Sequence, residues 1–431
     1  MTINATHDPS LKSWVVSANQ PGTDFPIQNL PHGVFSREGE ATRGGVAIGD
    51  QILDVKAALV AGLLEGEAAQ AAGEPDLRRL MATEAGAVAT LRARIQALLV
   101  AGAAEQARVE LCLVPMAQAQ LHMPTRPGAF TDYMTSAPHI AAARPARAEG
   151  KLPPCFWTLP IAYNSRASSV VVSGRPLERP HGQYRGAEGA EFGPTRALDY
   201  ELEFACFISQ PNALGAPIRL AEARRHIFGY CILNDWSARD VQYWESVLGP
   251  FQGKAFRSTI SPWVVTAEAL APFREAMPAR PADAPLAPPH LIDAGNEVDG
   301  GLSIRFFAHL LTPQMRSEGA TAAVLTDTWF SAGSWSFEQM ITHHAIGGCN
   351  LETGDLISSG TLSGEELSSA ACLVEITGGR VPVELPNGER RLWLEDGDEL
   401  VMTARAEREG FVPIGFGACA GLVVPAVNFA T

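Results

Sequence analysis

IFGYCILNDWSARDVQYWE, residues Ile227 to Glu245, is the stretch from which the rest of the chain is read. It opens as an apolar run, Ile227 to Leu233, of the length expected for a buried strand. Asn234-Asp235 is expected to halt that strand, and Ser237 to Glu245 reads as a polar helix. Asp235, Arg239, Gln242 and Ser246 follow at steps of four, three and four, which lines them along one helical face. A carboxylate, a guanidinium and an amide are costly to bury unpaired. Taken alone, the stripe therefore reads as a solvated face with an Asp235–Arg239 pair, and other parts of the chain change that reading.

Around it the chain is dominated by strands. SSVVVSG (Ser168–Gly174), YELEFACFI (Tyr200–Ile208), PWVV (Pro262–Val265), LSIRFFAHL (Leu302–Leu310), DLISSGTLSG (Asp355–Gly364), ACLVEITGG (Ala371–Gly379), ELVMTARAE (Glu399–Glu407) and GFGACAGLVV (Gly415–Val424) carry β-type patterns between turn residues. So many strands with few helices between them predict a mainly antiparallel β architecture of the α+β class. Nearer the start, Gly44–Val55 reads as strand, Gly-Asp turn and strand, and Ala57–Ala107 as mostly helical with a break near Gly73-Glu74-Pro75. These signals divide the chain into a loose tail (1–20), a supporting domain (21–125) and a larger domain (126–431) that carries the chemistry.

Composition narrows the functional classes. At 431 residues, 46% hydrophobic and 19% charged, the chain has the make-up of an ordinary globular protein. A net charge of −14 would repel phosphate backbones, which argues against a nucleic-acid partner. No apolar run reaches membrane-spanning length, and the first residues lack the basic and apolar regions of a secretory signal. The seven cysteines are scattered and never form CxxC, which suggests reduced core thiols and a cytoplasmic setting.

The period of two in Tyr200–Phe204 puts Glu201 and Glu203 on one strand face. Side by side they repel unless they meet water, a cation or a shared proton. Together with Asp235 and Asp132 they would make an all-oxygen site suited to a hard divalent ion, Ca²⁺ or Mg²⁺. Cys and His show no zinc-type spacing.

DFPIQNLPHGVFS (Asp24–Ser36), RASSVVVSG (Arg166–Gly174), NDWSARD (Asn234–Asp240), LGPFQGKAF (Leu248–Phe256) and THHAIGGCNL (Thr342–Leu351) carry, in order, a resemblance to the fumarylacetoacetase family. The resemblance covers nearly the whole chain. It implies an SH3-like barrel for the first domain, a β-roll for the second, and a homodimer. It implies hydrolysis of a carbon–carbon bond in a small β-diketo acid, fumarylacetoacetate, giving fumarate and acetoacetate. It also implies a metal held by Asp132, Glu201, Glu203 and Asp235, with His139 as proton acceptor and Glu375 as its carboxylate partner. Arg239, Gln242 and Lys254 fall on the family's oxyanion and substrate contacts, and Tyr163 and Thr361 on its substrate wall. A second, structural cation is implied beside Lys254 and Ser258.

Departures from the family pattern concentrate on the substrate wall. Met134 and Ser246 stand where the family places substrate-contacting tyrosines, and Asn164-Ser165 where it usually has His-Gly. The family arginine downstream of the base falls on Arg144 or Arg147, of which Arg147 is preferred. Loss of two phenols removes hydrogen bonds that discriminate substrates. Two alternatives therefore stand beside the leading reading. One is a hydrolase or decarboxylase of a related acylpyruvate or β-keto acid, and the other is a non-catalytic, metal-stabilised paralog.

Overall fold

The computed structural model describes residues 2–143 and 152–429. Arg43–Ile48 and Gln51–Asp54 form the expected hairpin across Gly49-Asp50, with Gly49 at φ +55° where a side chain would be strained. They sit within a five-stranded sheet completed by His32–Ser36, Leu113–Pro115 and Gln120–His122. Between its third and fourth strands the alanine-rich segment folds into short helices and the longer Ala85–Leu99, whose Leu91, Ile95, Leu98 and Leu99 are buried.

Residues 1–20, expected as a loose tail, are not loose where they are described. Ser13 Oγ donates to the Leu99 carbonyl (2.7 Å), Trp14 Nε1 to that of Leu98 (2.9 Å), and Val15 and Ala18 are buried. Arg92, buried in Ala85–Leu99, donates to Thr6 Oγ1 and to the carbonyls of Gln28 and Asn29. A tail that supplies partners to a buried guanidinium is fixed by the cost of leaving that cation unsatisfied.

The larger part of the chain builds an eight-stranded mixed sheet and a six-stranded one. In the first, Phe130–Met134, Leu356–Ser358, Leu202–Ile208 and Ile227–Asp235 lie side by side, followed by Ser258–Ile260. One face of this sheet packs on a core in which Phe204 stacks on Tyr230 at 5.1 Å and meets Phe306, Phe330, Phe337 and Phe416 edge-on. The other face, through Ala205, Phe207, Cys231 and Leu233, merges with the core of the first sheet. Both faces are buried, so Leu202–Ile208 is apolar throughout apart from Glu203 and shows no alternation in burial. The result is the sheet-dominated α+β fold that the sequence predicts.

Two local expectations are corrected. Asn234-Asp235 does not halt its strand, which runs Ile227–Asp235, because Asn234 and Asp235 still pair with Thr259 and Ser258. ACLVEITGG, expected as a strand, contains the helix Leu373–Thr377. Its first-turn amides of Leu373 and Val374 donate to the Asp199 carboxylate (2.7 and 3.1 Å). Gly378 and Gly379, at φ +58° and +63°, end it.

Candidate active site

Strand register brings the acidic residues together. Asp132 lies opposite Ser358, Ser358 opposite Ala205, and Glu203 is two residues from Ala205 on the same face. Asp235 follows at the end of the next strand, its amide donating to the Glu201 carbonyl at 3.1 Å. Carboxylate oxygens of Asp132, Glu203 and Asp235 all come within 4.8 Å of one another, and all three residues are buried. Burial raises the Asp132 and Glu203 carboxyls well above the usual range, and the neighbouring carboxylates add to the effect. Asp132 Oδ1 and Glu203 Oε1 are buried without a hydrogen-bond partner among the described residues. Three buried carboxylates with two orphaned oxygens fit a hard divalent cation.

Glu201 is expected as a fourth ligand but is engaged differently. One oxygen accepts from Arg239 Nη1 (2.7 Å) and the other from Lys254 Nζ, which also donates to Asp235 Oδ2 (2.7 Å). Burial would raise the Glu201 carboxyl, but Lys254, Arg239 and His139 outweigh it and hold it well below the usual range. Lys254 stays an ammonium, because Asp235 and Glu201 overcome the penalty of its burial. The Asp235–Arg239 pair read from spacing does not form. Arg239 Nε donates instead to Asp199 (2.9 Å) and Nη1 also to Gln242 Oε1 (3.2 Å), while Nη2 is buried with no partner among the described residues.

His139 stands across the cavity. Its Nδ1 is 3.1 Å from Glu375 Oε1, and its Nε2 points toward Glu201 Oε1 at 3.7 Å. Glu375 is fixed in turn by Ser363 Oγ (2.5 Å), Cys372 Sγ (3.0 Å) and the Ala371 amide (3.2 Å). Burial acts to raise Glu375, but His139 and these donors outweigh it, and the carboxylate form is favoured. An imidazole oriented by a carboxylate at Nδ1 has Nε2 free to take a proton.

These groups open on one cavity of about 510 Å³. Asp132, His139, Glu201, Glu203, Arg239 and Lys254 line its polar end. Met134, Tyr163, Gln242, Ser246 and Thr361 line its walls. Tyr163 donates to Asp235 Oδ2 (3.1 Å), Ser246 donates to the Gln242 carbonyl, and Thr361 Oγ1 is buried with no partner among the described residues. Glu375 sits behind His139, and Ser258 behind Asp235, to which its Oγ donates at 2.8 Å. Arg144 and Arg147 lie outside the described residues. Sequence reasoning missed Asp199, which ties Arg239 to the helix carrying Glu375; it also missed Tyr243, Arg380 and Trp393 of the cavity wall. Asp199 extends the period of two that runs through Glu201 and Glu203, and Tyr243 lies four residues after Arg239, so spacing carried a signal for both; Arg380 and Trp393 sit in no such pattern.

Comparison with known proteins gives a consistent picture. Residues 28–124 match the family model described as fumarylacetoacetase N-terminal, and residues 136–424 that described as fumarylacetoacetate (FAA) hydrolase C-terminal. A fumarylacetoacetase of Bos taurus is 42% identical over 95% of this chain and 98% of its own length. One of Homo sapiens is 40% identical over 94% and 97%. Among solved structures, the fumarylacetoacetate hydrolase from psychrophilic Exiguobacterium antarcticum superposes with a TM-score of 0.48 at 17% identity, covering 92% of this chain and 99% of that one.

Proposed function

This chain belongs to the fumarylacetoacetate hydrolase family, and on that premise we propose that it cleaves fumarylacetoacetate with water to fumarate and acetoacetate. The observation that carries the proposal is His139, held by Glu375 at 3.1 Å, facing the same cavity as Asp132 and Glu203 of the carboxylate trio and the two buried cations Arg239 and Lys254. In the proposed reaction His139 Nε2 takes a proton from water, whose oxygen bonds to the carbonyl carbon next to the bond that breaks. Glu375 holds the ring in the tautomer with its proton on Nδ1 and stabilises the imidazolium that forms. The unpaired Nη2 of Arg239 and the ammonium of Lys254 are the donors for the oxyanion. The electron pair of the broken carbon–carbon bond leaves as the enolate of acetoacetate and is then protonated. Asp132, Glu203 and Asp235, with Glu201 beside them, would hold a divalent ion, Ca²⁺ or Mg²⁺, whose chemistry when bound is to polarise the β-diketo oxygens. A homodimer and a second cation near Lys254 and Ser258 belong to the same proposal and rest on the family resemblance, and a cytoplasmic setting rests on the scattered free cysteines.

A related acylpyruvate or β-keto acid is a second reading, favoured by one observation. Met134 offers only a thioether to the cavity, and the Ser246 hydroxyl donates to its own helix carbonyl at Gln242. Steady-state kcat/KM for fumarylacetoacetate and a set of acylpyruvates decides between them. Preference for fumarylacetoacetate, improved by Met134→Tyr, supports the first reading. Preference for an acylpyruvate, with no gain from the tyrosine, replaces it with the second.

A further inference from the structure

A second cluster of metal-type donors adjoins the carboxylate trio and differs from it in chemistry. His139 Nδ1, Cys372 Sγ and a Glu375 oxygen lie within 4.8 Å of one another. The individual separations are 3.0 Å from Cys372 Sγ to Glu375 Oε2, 3.1 Å from His139 Nδ1 to Glu375 Oε1, and 3.9 Å from Cys372 Sγ to His139 Nδ1. Tetrahedral zinc, with bonds of about 2.0–2.3 Å to nitrogen, oxygen and sulfur, places its ligands roughly 3.3–3.6 Å apart. Each observed separation is within about half an ångström of that spacing, those of His139 and Cys372 from Glu375 being made to its two different oxygens. Thiolate and imidazole also select zinc over the hard ions that an all-oxygen trio selects. His139 lines the cavity, so the cluster has a way in from solvent.

We propose that His139, Cys372 and Glu375 form an inhibitory zinc site. On binding, the Cys372 thiol loses its proton to solvent and its sulfur bonds the metal, while His139 does so through Nδ1. A neutral imidazole metallated at Nδ1 carries its one proton on Nε2. That nitrogen then has no lone pair with which to take a proton from water, so zinc switches the base off without entering the substrate wall. The binding stands on the donor geometry alone; its inhibitory effect rests on His139 being the base of the proposed reaction.

The test uses the full chain in millimolar Mg²⁺, which keeps the carboxylate trio loaded, titrated with Zn²⁺ for rate and with Cd²⁺ for the ultraviolet thiolate-to-metal absorption band. Wild type is expected to be inhibited by micromolar Zn²⁺ and to show the cadmium band with one equivalent. Cys372→Ser keeps a hydroxyl beside Glu375; it should need at least tenfold more Zn²⁺ for the same fractional inhibition and lose the band. Cys349→Ser, which removes the exposed thiol, should keep both. If Cys372→Ser fails to fold, as read from its melting temperature, His139→Ala should show the same loss of affinity in the cadmium titration. Equal inhibition of wild type and Cys372→Ser, or no cadmium band in wild type, overturns the proposal. A wild type that hydrolyses no β-diketo acid would overturn the proposed reaction, and the cadmium titration would still decide the site.

Discussion

His32 pairs backbone to backbone with Val264, joining the first sheet to the rest of the molecule, and its side chain is buried beside Phe228. Burial, helped by the Arg92 guanidinium, lowers its imidazole from 6.5 to about 4. The unfolded chain therefore binds this proton first. Stability is complete above about pH 6.5 and is lost as pH falls toward about 4, by roughly 3 kcal/mol over the window. Replacement by an apolar side chain, His32→Leu, should remove about 2 kcal/mol of the stability lost between about pH 7 and 5. Urea unfolding at those two pH values reads this, and an unchanged pH slope would refute it. His139→Ala should lower kcat by roughly 10² to 10⁴-fold while leaving Mg²⁺ or Ca²⁺ affinity in place, since the ring is outside the carboxylate trio. Glu375→Gln should do smaller damage of the same kind. An active His139→Ala enzyme would mean that another group is the base.

At the scale of elements, the helix Leu373–Thr377 shows where local reading stops. Its residues, LVEIT, are β-branched or apolar enough to suit a strand, and the strand expectation follows from them. The helix forms because a carboxylate 174 residues earlier, Asp199, accepts two of its first amides. The same carboxylate receives Arg239 Nε, so one buried residue aims both the partner of His139 and the arginine proposed for the oxyanion. Asp199→Asn should cost about 3 kcal/mol, the usual scale for unbalancing a buried ion pair, and should also lower kcat. Denaturant unfolding and turnover measured on one preparation test it; a variant with native stability and full activity would remove Asp199 from this role. The strand elements were more legible. Ile304–Leu311 and Glu399–Ala406 alternate buried and half-buried residues; the first runs one residue past the stretch read as β-type and the second falls inside its own. Both edges of the hairpin at Gly49-Asp50 follow from the turn residues.

For the whole molecule, the decisive quantity is charge gathered at one point of a chain that is already acidic. Without a cation, Asp132 and Glu203 are held toward their protonated forms by burial and by Asp235. Loading Mg²⁺ or Ca²⁺ near neutral pH should therefore release protons, readable in a weakly buffered titration. It should also raise the melting temperature, by about 2.7 kcal/mol of stability at a hundredfold excess over Kd. Chelation should reverse both and abolish turnover, whereas full turnover in chelator would refute the metal reading. The sheet-rich class, the residue types of the site and the strand that carries Glu203 are legible along the chain, whereas the strand that carries Asp235 is expected to halt at Asn234-Asp235 and instead runs through it. Apolar runs and period-two patterns report burial, and burial is a local property of each segment. The partners of these residues follow from how distant segments pack. Arg239 meets Asp199 and Glu201 and not Asp235, Lys254 bridges Glu201 and Asp235, and Ser13 and Trp14 bond to the end of Ala85–Leu99. Ion pairs and caps depend on strand register between segments far apart in the chain, and a pattern along one segment carries no information about which distant group will face it.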